Sequence, residues 1–136
     1  MKLKLQILTS EKEVFNAQVD EVIVPTTAGV IGILPQHTPL VSQIAPGEIV
    51  IKNNDKSEVM AVFGGFIEVS KNNVAVLADY AARVEDIELA KAQEAKERAE
   101  KLMQEKLSQK DFIIAEAELQ KALMQLRIAN KYRKNR

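Results

Sequence analysis

Residues 32–40 read GILPQHTPL, and this stretch decides how the front half of the chain is interpreted. Pro35 and Pro39 fix φ at two points, so the chain is expected to leave one strand, run extended across a sheet edge and enter the next strand. All five glycines and all four prolines lie within residues 25–65, and residues 66–136 contain neither type. Both types collect in turns and avoid helix interiors. The front half is therefore predicted to be turn-rich β structure and the back half helical.

Short segments with the pattern of strands fill the front half. Residues 3–7 alternate apolar and polar side chains, as expected of a strand with one buried face. Eight further segments, separated by turn residues, lie at 14–15, 19–24, 30–34, 40–44, 48–52, 58–63, 66–69 and 74–78. Residues 53–56 and 71–73 predict hairpin turns, because Asn and Asp tolerate left-handed φ. About nine strands at this spacing predict an all-β antiparallel sandwich or barrel, with residues 1–84 as the β domain.

The back half, residues 85–136, reads as two helices. The first is predicted from Asp86 as N-cap to about Leu107, and Asp111 is predicted to cap the second. Apolar residues at helical spacing form a stripe on each helix, at Ala92, Ala95, Ala99 and Leu102 and at Phe112, Ala115, Leu119, Ala122, Leu126 and Ala129. The connector 108–111 is too short for any arrangement but an antiparallel α-helical hairpin.

The stripes of the two helices are rich in alanine. Alanine lets helices approach closely but buries little surface, since each methylene absent relative to leucine forfeits about 0.8 kcal/mol. The pairing is therefore expected to be specific in register and weak in energy. Both a hairpin that opens and one that stays folded fit this composition.

Charge and cysteine content exclude several classes of function. Nineteen basic residues balance nineteen acidic ones, so net charge favours neither nucleic acid nor a membrane surface as a partner. The chain has no cysteine, which excludes disulfides, thiolate metal sites and cysteine nucleophiles. No stretch reaches the ~18 apolar residues of a membrane span, and the N-terminus predicts no targeting segment. The charges are unevenly distributed along the chain, since residues 121–136 include six basic residues and no acidic one.

Together these features resemble one family, the epsilon subunit of the bacterial and chloroplast F-type ATP synthase. Residues 32–40 are similar to that family's G-[IV]-L-P-x-H-x-P-[IL] segment. Residues 63–69, FGGFIEV, are similar to its S-G-G-[FL]-x-E-V hairpin, where paired glycines allow a bulge or a close approach between strands. Residues 74–78 and 81–87 resemble the strand that leads into the helices. The resemblance spans the whole chain.

The resemblance implies a non-catalytic central-stalk subunit of a proton-translocating ATP synthase, and not an enzyme in itself. Its sandwich domain would bind the gamma subunit and the ring of c subunits. The contact residues implied on the matching segment are Gly29, Val30, Pro35, His37 and Pro39. Many bacterial members carry an acid after the glycine at position 29, and Val30 stands there in this chain. The implied location is peripheral, on the cytoplasmic face of the bacterial cell membrane, with no nucleic acid partner and with membrane contact only through the complex.

The resemblance also implies that the hairpin is regulatory. In one state it would lie folded, and in another it would open along gamma toward the catalytic alpha and beta subunits and oppose ATP hydrolysis. The residues implied to contact the head are Arg127, Lys131, Arg133, Lys134 and Arg136. A basic tail and a weakly held helix pair are features that such an opening helix needs to engage an acidic surface. A solvated tail without a partner is the alternative.

One motif departs from the family's ATP-binding members. Those members carry [IL]-D-x-x-R-A at the start of the first helix, whereas residues 87–92 here read IELAKA. Glu88 is longer than Asp by a methylene, and Lys91 lacks the planar fork of Arg. Arg98 does match a basic position of those sites. Glu88, Lys91 and Arg98 thus form at most a residual nucleotide site, and we expect no bound cofactor.

Other interpretations of the same residues stay open. His37 is also expected, without any partner, in a rigid arch in which its ring bonds a backbone carbonyl, while a metal or catalytic role would need a second ligand or a nucleophile. A scaffold protein with a helical clamp would need an apolar hairpin tip, but residues 107–111 read LSQKD. A sandwich enzyme would need clustered histidines, acids or serines, and the β half has one histidine and scattered acids.

Overall fold

The computed structural model describes residues 1–133. The chain divides into two compact units, Met1–Arg83 and a second unit that begins at Val84. The first contains ten strands within the described residues: β1 Leu3–Leu8, β2 Glu13–Val19, β3 Glu21–Thr26, β4 Gly29–Ile33, β5 Leu40–Gln43, β6 Gly47–Asn53, β7 Lys56–Phe63, β8 Phe66–Ser70, β9 Asn73–Leu77 and β10 Tyr80–Arg83. The second contains a 3-10 turn, Val84–Asp86, and two helices, α1 Leu89–Met103 and α2 Gln109–Arg133.

The ten strands form a sandwich of two five-stranded sheets. The first sheet has the order β2-β1-β9-β8-β5 and the second the order β10-β7-β6-β3-β4. The predicted sandwich is confirmed, and neighbouring strands are antiparallel except for β1 and β9, which run parallel. The core holds the inward side chains of both sheets, including Leu3, Leu5 and Ile7 of β1, all fully buried. The alternation at the N-terminus therefore reports a strand with one buried face, as predicted.

The predicted hairpin turns are also confirmed. Asn54 and Asp55 link β6 to β7 with φ of 50° and 67°, and Lys71 and Asn72 link β8 to β9 with φ of 49° and 65°. Two-residue loops with positive φ at both positions match the right-handed twist of the flanking strands. These loops fix the register of both hairpins.

The segment 19–24, predicted as one strand, is interrupted at Asp20. β2 ends at Val19 in the first sheet and β3 begins at Glu21 in the second. The Asp20 amide donates to the carbonyl of Lys52 at 2.9 Å, and its carboxylate binds the Lys2 ammonium at 2.8 Å and the Asn54 amide at 2.8 Å. Asp20 therefore marks the point where the chain passes from one sheet to the other. Its amide and its carboxylate both form bonds there.

Asp20 gives the sandwich a pH dependence with a defined sign. Hydrogen bonds from Lys2 and from the Asn54 amide lower the pKa of Asp20 below 3.8. Because the folded pKa is depressed, the stabilisation is present above pH 3.8 and is lost as the pH falls through the folded pKa. We expect Asp20→Asn to lower the urea midpoint near pH 7 and to lose this deficit in acid. A deficit of the same size at pH 7 and at acid pH would contradict the assignment.

Gly64 and Gly65 allow a close approach between strands, as predicted. Both have positive φ, +73° and +104°. A Cβ on Gly65 would lie 1.9 Å from the carbonyl oxygen of Leu77 and 2.7 Å from the Cα of Ala78. The three atoms nearest to a Cβ on Gly64 would all belong to the side chain of Asp79. The obstacle at Gly65 is backbone, and it cannot rotate away.

The helices differ from the predicted bounds at three ends. α1 begins at Leu89 with Glu88 as its N-cap, because Asp86 belongs to the preceding 3-10 turn, and α1 ends at Met103 instead of near Leu107. α2 is capped by Ser108, whose hydroxyl accepts the Asp111 amide at 3.1 Å. Asp111, which the sequence analysis predicted as the cap, lies inside the first turn of α2 instead. No helix among residues 1–133 is long and apolar enough to cross a bilayer.

The two helices pack as the predicted antiparallel hairpin. Five alanines of the predicted stripes are buried: Ala92, Ala99, Ala115, Ala122 and Ala129. The burial of these small side chains agrees with a close helix pair that encloses little apolar surface. Met124 and Ile128, one turn apart on α2, are buried as well, and the stripe did not include them.

Candidate functional site

Residues 34–39 form an arch between the two sheets. The arch leaves β4, an edge strand of the second sheet, and enters β5, an edge strand of the first, so the predicted crossing at a sheet edge is confirmed. The His37 amide donates to the Leu34 carbonyl at 3.1 Å, and Gln36 has φ of +69°. Pro35 followed by a residue with positive φ defines a type II turn. The turn presents Gln36 on the surface and leaves His37 half-buried.

The His37 ring bonds the backbone beside it. Its Nδ1 lies 2.7 Å from the carbonyl oxygen of Thr38, so Nδ1 carries the proton and donates. The sequence analysis offered an arch in which the His37 ring bonds a backbone carbonyl, and this bond is present. The other ring nitrogen, Nε2, takes no part in it. Across residues 1–133, no group of three or more His, Cys, Asp or Glu side chains could hold a metal ion.

The residues predicted to contact partners occupy two places. Gly29 and Val30 begin β4, while Pro35, His37 and Pro39 lie beyond its end, about 15 Å further along an extended chain. Val30 is 73% exposed. Between the two places, Leu34 is more than half exposed at the start of the arch. The predicted contact set thus spans the length of an edge strand with exposed aliphatic side chains at both ends.

A second apolar surface was missed by the sequence analysis. Phe66 of β8 and Leu77 of β9 are cross-strand partners, and both are more than half exposed. Val41 of the neighbouring strand β5 is 70% exposed. These three side chains lie on the outer face of the first sheet, whose edge strand continues from the arch. Period-2 alternation could have found Phe66, because Ile67 and Val69 beside it are buried.

Two of the three residues predicted for a residual nucleotide site, Glu88 and Lys91, bind each other. Glu88 and Lys91 form an ion pair of 2.8 Å one turn apart, and both side chains are mostly exposed. The hydrogen bond that the Lys91 ammonium donates to the Glu88 carboxylate raises the pKa of Lys91. Arg98 lies seven residues beyond Lys91 on α1, about 10 Å along the axis. The structure therefore leaves the three predicted residues as a local pair and a separate cation.

The basic residues of the C-terminal segment have different environments. Arg127 is exposed, and the Lys131 ammonium lies 5.1 Å from the centroid of the Tyr132 ring. Arg133 differs: its Nη2 donates to the carbonyl of Val84 at 2.6 Å and to that of Ile87 at 2.7 Å. This guanidinium fastens the end of α2 to the 3-10 turn that precedes α1. Lys134 and Arg136 lie outside the described residues.

Comparison with known proteins covers both units of the chain. A family model described as ATP synthase, Delta/Epsilon chain, beta-sandwich domain matches residues 2–84. A second, described as ATP synthase, Delta/Epsilon chain, long alpha-helix domain, matches residues 85–130. Together they span nearly the whole chain.

Curated relatives match at full length. The ATP synthase epsilon chain of Caldanaerobacter subterraneus is 43% identical over 129 residues, which is 94% of each chain. That of Herpetosiphon aurantiacus is 40% identical over 136 residues, covering 100% of this chain and 99% of the relative.

Two solved structures share the fold. A chain of the Euglena gracilis mitochondrial ATP synthase, a structure of OSCP, F1 and c-ring, aligns with a TM-score of 0.74 at 22% identity over 90% of this chain and 78% of its own. A chain of the central stalk and c-ring of the Tetrahymena thermophila mitochondrial enzyme aligns with a TM-score of 0.65 at 14% identity over 95% of this chain and 97% of its own. From the family models and the full-length relatives together, the chain belongs to the family of ATP synthase delta/epsilon chains.

Proposed function

We propose that this chain is a non-catalytic central-stalk subunit that couples the rotor to the catalytic head of a proton-translocating F-type ATP synthase. Residues 1–84 bind the gamma subunit and the c-ring, and residues 85–136 regulate hydrolysis. Family membership supports the subunit assignment, and a structural neighbour belongs to a central stalk and c-ring assembly. The subunit is peripheral, at the cytoplasmic face of the bacterial membrane, and reaches the bilayer only through the complex.

The observation that carries this proposal is the arch with its exposed aliphatic flanks. A rigid turn built on Pro35 keeps its shape in the free protein, so little conformational entropy is lost on binding. Val30 and Leu34 add apolar surface that a partner would cover. Phe66, Leu77 and Val41 extend this surface across the first sheet. We assign gamma and the c-ring to these two neighbouring surfaces.

The contribution of His37 is tested by His37→Ala in the full chain. We expect the dissociation constant for the gamma subunit to rise by about tenfold, since central interface residues contribute about 1–2 kcal/mol each. The melting temperature should stay within about 2 °C, because the ring of the half-buried His37 makes a single local bond, to the carbonyl of the next residue. Isothermal titration calorimetry and thermal denaturation measure the two quantities.

A matched control is Gln18→Ala on β2, an exposed position at the opposite edge of the same sheet from β5. This change should leave both quantities unaltered. A large fall in melting temperature with unchanged affinity for gamma in His37→Ala would assign the histidine to folding and remove it from the interface.

The hairpin is proposed to inhibit hydrolysis by opening toward the alpha and beta subunits. Its helices meet through alanines, which encloses little apolar surface and keeps the cost of separation low. Its C-terminal segment carries the basic residues that an acidic surface on the head would attract. Bound ATP is not part of the proposal, since Glu88 and Lys91 neutralise one another.

A further inference from the structure

Asn72, in the turn between β8 and β9, contacts two separate parts of the sandwich, the N-terminal segment and the arch. Its backbone carbonyl accepts the Lys4 amide at 2.8 Å, and its side-chain nitrogen lies 3.7 Å from the sulfur of Met1. Its side-chain oxygen accepts the backbone amide of Gln36 at 2.5 Å. The last contact joins a hairpin turn of the first sheet to the middle of the arch.

The arch needs such a contact for a physical reason. Gln36 adopts φ of +69°, which a residue with a Cβ adopts only at a cost, and type II turns usually place Gly or Asn at this position. The amide at this position points away from the turn's own hydrogen bond, which runs from His37 to Leu34. A single acceptor aimed at this amide therefore favours the left-handed conformation of Gln36 over its alternatives.

We propose that Asn72 is a positioning residue for partner binding: it holds Gln36 in the left-handed conformation and so sets the orientation of Pro35 and His37. The inference rests on the proposed function, in which the arch is the docking element. Asn72 acts through Gln36 without itself touching the partner. The turn between β8 and β9 is then a part of the docking site that the sequence motif around His37 does not include.

Three variants of the full chain separate the acceptor from the backbone. Asn72 has φ of +65°, so Asn72→Gly keeps the turn and removes the acceptor, whereas Asn72→Asp keeps both. We expect amide exchange at Gln36 to accelerate at least tenfold in Asn72→Gly and the dissociation constant for purified gamma to rise about tenfold. Asn72→Asp should restore both values, and the melting temperature should change by no more than a few degrees in either variant. Asn72→Ala, which lacks the acceptor and strains the turn, should lose stability in addition.

Two results would overturn the proposal. Unchanged exchange at Gln36 in Asn72→Gly would mean that the contact does not hold the arch in solution. Wild-type affinity for gamma despite lost protection at Gln36 would mean that the arch conformation does not matter for docking. If wild-type chain failed to bind gamma at all, the proposed function would fail, while the exchange measurement would still decide whether Asn72 orders the arch.

Discussion

Replacing Gly65 with alanine is expected to destabilise the sandwich by roughly 3–5 kcal/mol, combining backbone strain at its positive φ with the clash of the new Cβ. The Cβ would lie 1.9 Å from the carbonyl oxygen of Leu77, so the end of β9 must move to accommodate it. The Gly65 carbonyl also accepts the Ile44 amide at 2.9 Å, so the displacement reaches the end of β5. The melting temperature of the full chain should fall by about 15 °C or more.

Gly29→Ala provides the matched control. Gly29 also has positive φ, +125°, but a Cβ there meets nothing within 4 Å. Gly29→Ala should therefore lower the free energy of unfolding by only the conformational cost of positive φ, about 1–3 kcal/mol, without a clash. Equal losses of stability in the two variants would show that the closeness of Leu77 and Ala78 to residue 65 is not what requires glycine.

Changes to the basic residues of segment 121–136 are expected to change the rate of ATP hydrolysis in opposite directions. Replacing Arg127, Lys131, Lys134 and Arg136 with alanine should raise the ATPase activity of the assembled enzyme severalfold, because it removes attraction to the catalytic head. Arg133→Gln alone should lower that activity. Its guanidinium bonds the carbonyls of Val84 and Ile87 in the closed hairpin. We expect these bonds to break when the hairpin opens, so their removal should favour opening.

The measurement is steady-state ATP hydrolysis by the reconstituted enzyme with each variant subunit. Arg127→Gln is the control for Arg133→Gln, since it removes one charge from the same helix at an exposed position. An increase in activity from Arg133→Gln as large as that from Arg127→Gln would assign Arg133 to the inhibitory contact, as the family resemblance implied. Unchanged activity in every variant would mean that the hairpin does not inhibit.

The sequence analysis predicted the features that depend on neighbouring residues. The alternation at Leu3, Leu5 and Ile7 reports a buried face, and left-handed residues at 54–55 and 71–72 report two turns. The crossing at Pro35 follows from a fixed φ. Each of these is set by local geometry, and each is confirmed.

Features that depend on distant partners were beyond the same reasoning. The run from Val19 to Val24 is apolar enough for one strand, and the break at Asp20 depends on Lys2 and Asn54, which are remote in sequence. β10 lacks the alternation of an edge strand and is defined by pairing of Tyr80 with Phe63. Asn72 looked like an ordinary turn residue, because its role as an acceptor depends on Gln36, which lies in the arch and is remote in sequence.

The parallel pairing of β1 with β9 has a consequence for how the chain folds during synthesis. Leu5 pairs with Val74, so the first strand finds its neighbour about 70 residues later. Until β9 emerges from the ribosome, the hairpin of β1 and β2 presents an open strand edge and an uncovered apolar face. The pairing of β1 with β9 is non-local, whereas the contacts between α1 and α2 join residues that are closer in sequence. The β unit is thus expected to fold slowly and to be the part of the chain most exposed to aggregation. The two helices are synthesised last, after β9 has become available to pair with β1.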